Sequence, residues 1–273
     1  MEKTTRLGRE RDDVSRFSLS ERPREAADQW PEPVTATEGR RVVRVLHPCS
    51  PLDKALFMAN LSLELARSRR PAVIWDGDGG EGSRIADMME GVVRPDLVPG
   101  ALAVRLYGLP DVLIHRPATH LGEKPGEFVR AAAPSEGGGF LLLSLSDTVE
   151  SIMQGDVPFD AVVLCPPDEA SLLKAYAFVK VIREKDPASR VYLVFDGLPP
   201  GEKARETSFR FEGFLREKLP GWLACLGSLH RDETLERSME ERLPVVLGHG
   251  VSAYRDSLQA VSAAFLSSVK GAP

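Results

Sequence analysis

Lys54 stands in HPCSPLDKALFMANLSLELA (residues 47–66), directly after the apolar run RVVRVLH (41–47). Leu52, Leu56, Ala59, Leu63 and Ala66 then recur at spacings of three and four, which predicts a helix laying one face on a sheet. A lysine at the start of such a helix is placed to meet phosphate oxygens, because the helix N-terminus offers free N–H groups and the positive end of the macrodipole. Ser50 adds a hydroxyl to the same loop. PAVIWD (71–76) reads as the next strand and runs into WDGDGG, so Asp76 and Asp78 belong to the neighbouring loop; Asp196 ends RVYLVFD (190–196) in the same manner. Ligands of doubly wound folds bind at such carboxyl ends, and aspartates there hold divalent ions or shape Asp-Gly turns.

The loop around Lys54 is poorly built for that task. It contains no glycine, whereas phosphate loops use glycine to bring backbone N–H groups close to the anion. Pro51 deletes one N–H, and Asp53 puts negative charge where phosphates would lie. At ~4 Å and an effective dielectric near ~20, like charges repel by about 4 kcal/mol, enough to cancel several good hydrogen bonds. The plainer reading of Lys54 is a salt bridge to Asp76 or Asp78, or a solvated side chain. His47 and Cys49 stand beside it as a base and a thiol, but a hydrogen-bonded structural histidine is the simpler role. His115, His120, His230 and His249 show no metal-ligand spacing. Neither a catalytic residue nor a metal ligand is assigned.

The elements that must position these residues follow from apolar patterning. Further strands are expected in AVRLY with DVLIH (103–115), FLLLSL (140–145), FDAVVLC (159–165) and WLACLG (222–227). Helices are expected at about 147–154, 168–185, 201–218, 232–242 and 252–268. Several strands are continuous apolar runs, as for strands covered on both faces, so the fold class is α/β, a doubly wound and mainly parallel sheet flanked by helices. Residues 1–38 are charged, contain Pro23, Pro31 and Pro33, and read as a disordered arm; residues 39–273 form the α/β domain. Trp30 is the one large apolar residue of the arm.

The chain has 273 residues, 42% of them hydrophobic and 27% charged, with a net charge of −5. That balance gives no nucleic-acid footprint. Three widely spaced cysteines form no disulfide framework or metal pattern, and the charged N-terminus lacks a signal peptide's apolar core, so a cytoplasmic location is expected. No run approaches the ~20 apolar residues of a membrane span.

With Lys54, Asn60 and Leu61 as anchors, the opening stretch resembles the deviant Walker A segment of the MinD/ParA ATPase family, roughly KGGVGKTxxxxNLAxxLA. FDAVVLCPPDEASLLKAYAFVKVI (159–182) and LGSLHRDETLERSMEERLPVV (226–246) resemble the FlhG/MinD branch, and the likeness extends over residues 40–268. The resemblance places Lys54 on the P-loop lysine, Asp76 and Asp78 on paired aspartates, and Asp196 where an asparagine recognises the base. Cys49 replaces the deviant lysine, Ser50, Pro51 and Asp53 replace glycines, and Ala55 replaces the Mg²⁺-binding threonine. Ser144 or Ser146 falls on the Walker B acid; Asp147 fills that role only if the register slips by about two residues.

The resemblance therefore implies a degenerate ATPase, acting as a regulatory or scaffold partner in division, flagellar or chromosomal positioning. The expected partner is a protein, an active MinD/ParA relative or a second copy, met through the helices at 168–185 and 201–218. Lys54, Ser50, Asp76, Asp78 and Asp196 are at most a relic nucleotide site, with no cofactor required and ATP/Mg disfavoured. Substitution of Lys54 is then nearly neutral. The competing reading is a divergent ATPase that still binds and slowly hydrolyses ATP using Lys54, Asp76, Asp78 and Asp147.

Overall fold

RVVRVL forms a strand because its residues are wanted on both sides of a sheet. In the computed structural model this is β1 (Arg41–Leu46), an inner strand of a three-layer α/β arrangement. The structure describes residues 41–77, 85–89, 93–98, 101–104, 112–115, 124–132, 139–154, 158–198, 201–248 and 250–270. The expected arm, with Trp30, lies outside them, as do Asp78, His120 and His249.

After β1 come α1 (Pro51–Arg67), β2 (Ala72–Asp76), β3 (Val93–Val98), β4 (Ala101–Val104), β5 (Val112–His115) and α2 (Pro125–Ala132). There follow β6 (Phe140–Ser144), α3 (Val149–Gln154), β7 (Asp160–Cys165), α4 (Glu169–Lys185), β8 (Val191–Asp196), α5 (Glu202–Lys218), β9 (Leu223–Leu229), α6 (Glu233–Glu241) and α7 (Ala253–Lys270). The sheet order is β3-β4-β5-β2-β6-β1-β7-β8-β9. From β5 to β9 all seven strands are parallel, as the apolar runs imply. β4 runs against both β3 and β5. Of the segment expected as AVRLY with DVLIH, β5 closes the parallel part of the sheet and β4 belongs to an antiparallel extension beyond it. β3 was hidden by Pro95, which has no N–H for a ladder; it lies at the sheet edge, where that loss is tolerated. Helix α2 was also not expected.

β7 shows why the strands read as unbroken apolar runs. Val162 and Leu164 face the layer of α1 and α7, while Ala161, Val163 and Cys165 face the layer of α4 and α5. At the roughly 25 cal/mol per Å² of apolar burial, two covered faces stabilise the sheet more than any polar contact at its ends. Asn60, an anchor of the family likeness, is fully buried. Its Nδ2 donates to Leu56 O at 2.9 Å, and its Oδ1 accepts from Val246 N at 3.1 Å, tying α1 to the 3-10 turn Val245–Leu247. That asparagine serves the fold.

Candidate functional site

The loop between β1 and α1 is closed by its own histidine. Nδ1 of His47 accepts the backbone N–H of Cys49 at 3.1 Å and of Ser50 at 2.9 Å. These are N–H groups that a phosphate loop would offer to an anion. An Nδ1 that accepts two donors carries no proton, so the neutral ring carries its proton on Nε2. The ring is 2% exposed. Ser50 caps α1, its Oγ accepting from Asp53 N at 3.0 Å, so the hydroxyl is committed to the helix. Cys49 Sγ lies 3.0 Å from Ser171 Oγ on α4, and Lys174 Nζ donates to Pro48 O at 3.2 Å. The thiol thus engages α4 while the ring faces the loop amides, an arrangement unsuited to a cysteine–histidine nucleophile.

Lys54 is only 1% exposed, which excludes the solvated reading. Its Nζ donates to Leu145 O at 2.7 Å and to Asp147 Oδ2 at 2.8 Å. Among the described residues, the carboxylate hydrogen-bonded to the lysine is Asp147, three residues beyond the end of β6, while Asp78, one of the two partners expected, lies outside them. Asp147 Oδ2 also accepts the backbone N–H of His47 at 3.3 Å. Arg44 brings this about. A charge in mid-strand, it is 1% exposed, and its guanidinium donates to Ser146 O at 2.8 Å, Ser151 O at 3.0 Å and Ser151 Oγ at 2.9 Å. Those bonds hold the segment after β6 against β1. Ser144 is the buried last residue of β6, pairing in register with Val45 and Asp76. Asp76 is buried at the end of β2. The near-neutrality expected for Lys54 substitutions does not follow for a buried, paired cation.

Asp196 sits in a second cluster. Arg231 donates to it at 2.6 and 3.4 Å and reaches Asp53 Oδ2 at 2.8 Å, so one guanidinium joins β8, α1 and the segment after β9. His47 Nε2 lies 3.6 Å from Asp196 Oδ2. Burial raises the Asp196 carboxyl, but His47 and Arg231 outweigh it and hold the group below the usual range. Arg231 is pushed up in turn, chiefly by its hydrogen bond to Asp196. Leu56, Phe57, Leu164 and Tyr254 line the small hollow beside these charges. Burial raises the Tyr254 hydroxyl.

His47, Asp53 and Asp196 bring ligand atoms within 4.8 Å of one another, close enough for a metal ion. The chemistry argues otherwise. A ligating Nε2 needs its lone pair, and the two loop amides already hold the proton there. The position of a cation between the carboxylates is taken by Arg231.

No family model and no curated protein matches the sequence. Solved structures do. MinD, the septum site-determining protein of Pyrococcus horikoshii OT3 complexed with Mg-ADP, aligns at 12% identity over 85% of this chain and 98% of its own, with a TM-score of 0.60. A ParA family ATPase from Chlorobium tepidum aligns at 12% identity over 83% of this chain and 99% of its own, TM-score 0.54. The MinC:MinD cell division complex of Aquifex aeolicus aligns at 12% identity over 83% and 96%, TM-score 0.56. The fold is of the MinD/ParA type. A fold does not by itself carry an activity. Of the five residues expected at the site of this MinD/ParA-type fold, Ser50 caps α1, Lys54 lies in its first turn, Asp76 ends β2, Asp196 lies in the Arg231 cluster, and Asp78 is outside the described residues. Among the described residues, no helix is long and apolar enough to cross a membrane.

Sequence reasoning missed Arg44, Arg231 and the plugging role of His47. Arg44 had a signal, since a charge inside an apolar strand covered on both faces needs buried partners. Arg231 had none: its partners lie on other elements.

Proposed function

We propose that this chain is a MinD/ParA-type domain whose nucleotide site is filled by its own side chains, and that it works by binding another protein. The observation that carries this reading is the closure of Lys54 on Asp147 and Leu145 O. A lysine so engaged directs two of its three N–H donors at the protein's own oxygens. The residues present do not fit a magnesium–nucleotide complex: Ala55 offers no hydroxyl, and His47 occupies two loop amides. Phosphoryl transfer rests almost wholly on metal and positioning, so a site without either supports no turnover.

The role that remains is that of a regulator or scaffold in the positioning of division, flagellar or chromosomal machinery. MinD of Aquifex aeolicus has been solved in complex with MinC, which supports a protein as partner here. An active relative or a second copy of this chain are the two partners we favour. The layer of α4 and α5, where Phe209 is 64% exposed, is the surface we assign to it.

The test is calorimetric titration of ATP and ADP, with and without Mg²⁺, into wild type and Lys54→Ala, with circular dichroism confirming that the variant is folded. The expected result is no heat at high micromolar nucleotide. Micromolar binding that Lys54→Ala abolishes would overturn the reading. One observation favours the competing one: Asp147 adjoins the lysine, as an acid serving a metal–nucleotide site would. It predicts Mg²⁺-dependent hydrolysis that is lost in Lys54→Ala.

A further inference from the structure

The bond pattern of His47 has a consequence for how the loop responds to protons. Two N–H groups, of Cys49 and Ser50, converge on Nδ1, which holds them only through its lone pair. A proton on Nδ1 would turn an acceptor facing two donors into a third donor. The ring is buried, so water cannot mediate the change while the loop stays closed.

The groups facing this ring come from several elements. Asp196 of β8 stands 3.6 Å from Nε2 and is itself held by Arg231. Asp53 of α1 shares that guanidinium. Asp147, after β6, accepts the His47 backbone N–H and pairs with Lys54. Ser171 and Lys174 of α4 reach Cys49 and Pro48. Asp196 favours positive charge on the Nε2 side, whereas the loop amides oppose a proton on the Nδ1 side. The ring thus lies between a carboxylate that attracts the imidazolium and a loop closed only around the neutral form.

We propose that His47 is a proton-operated latch on the β1–α1 loop: the neutral ring closes the loop over its own amides, and protonation of Nδ1 releases the Cys49 and Ser50 N–H groups. Release also frees the Pro48 and Cys49 contacts to α4, so the N-terminal end of that helix senses the loop. The latch concerns the loop's own closure and stands whether or not nucleotide binds.

The test is NMR on the full, ¹⁵N-labelled chain, titrated from about pH 8 to about pH 5, where histidine changes charge. Ring nitrogens, the Cys49 and Ser50 amides, and amide exchange are followed together. At the alkaline end Nδ1 is expected unprotonated and both amides protected. On acidification the amides shift in step with the ring, and their exchange protection is lost. In His47→Asn the side-chain oxygen replaces Nδ1 as an acceptor that cannot titrate, and both amides are expected to stay unchanged. The latch is refuted by any of three results in wild type: a protonated Nδ1 at pH 8, a ring that titrates without moving the amides, or no ring titration in the window. The same pH response in His47→Asn would also refute it. Should that variant not fold, the wild-type titration alone decides.

Discussion

Asp196 ends β8 at the carboxyl edge of the sheet, and Asp160 begins β7 at the amino edge; each is largely buried beside an arginine. Asp160 takes Arg41 Nη1 at 3.1 Å and the backbone N–H of Arg190 at 3.1 Å. Asp196 takes two bonds from Arg231 and has His47 close by. Their carboxyls move in opposite directions. Burial raises Asp160 more than Arg41 and Arg190 lower it, while at Asp196 the neighbouring side chains win. At Asp160 burial outweighs the neighbouring charges, and at Asp196 the neighbouring charges outweigh burial. Buried charge is therefore no mark of a functional site in this protein. What distinguishes the carboxyl edge is its place at the strand ends where ligands of such folds bind.

The strongest way to break this contrast is Asp147→Ala. It removes the carboxylate that accepts from the buried Lys54 ammonium, and a loss of about 3 kcal/mol is expected in urea unfolding. Adding Lys54→Met should restore most of it, because an apolar side chain carries no desolvation penalty. If Asp147→Ala proved stabilising, the pair would be a strained arrangement kept for function, and the comparison would fail.

Asp196→Asn tests the carboxyl edge directly. With a carboxyl held below its unfolded value, the stabilisation is present above roughly pH 3.9 and is lost as pH falls through the folded value. The variant should lose about 2 kcal/mol at pH 7, and the difference from wild type should shrink as the pH drops below about 4. A difference constant with pH would mean that the charge of Asp196 contributes nothing.

Asp160→Asn should have the smallest effect. Its folded value is raised, so the protonated form is favoured by folding; that stabilisation is full below the unfolded value and lost as pH rises through the folded one. At neutral pH asparagine removes the desolvation penalty and keeps an acceptor for Arg190 N. A change under about 1 kcal/mol is expected in the same unfolding assay. A loss as large as that of Asp196→Asn would make the two edges alike.

The fold was legible where burial is two-sided. The runs at β1, β6, β7 and β8 and the helical spacing of α1, α4, α5 and α7 fall where patterning expects them, because a covered strand has no room for polar alternation. β3 was obscured by Pro95, and the antiparallel turn of β4 leaves no trace in composition. At the site, Ser50, Lys54 and Asp196 were legible as residues at strand ends, but their partners were not. Ser50 is a helix cap, a role that local spacing could have indicated from its place before Pro51.

The sequence alone determined a parallel, two-sided sheet and the absence of glycine and of a threonine at position 55 in its first loop. Both are local properties, decided by which side chains are apolar and which backbone conformations are open to them. Tertiary structure alone decided that Lys54 meets Asp147 across 93 residues and that Asp196 meets Arg231 across 35. Salt bridges form where loops from different strands converge, and a side chain's charge does not specify which opposite charge the fold will bring within about 3 Å of it.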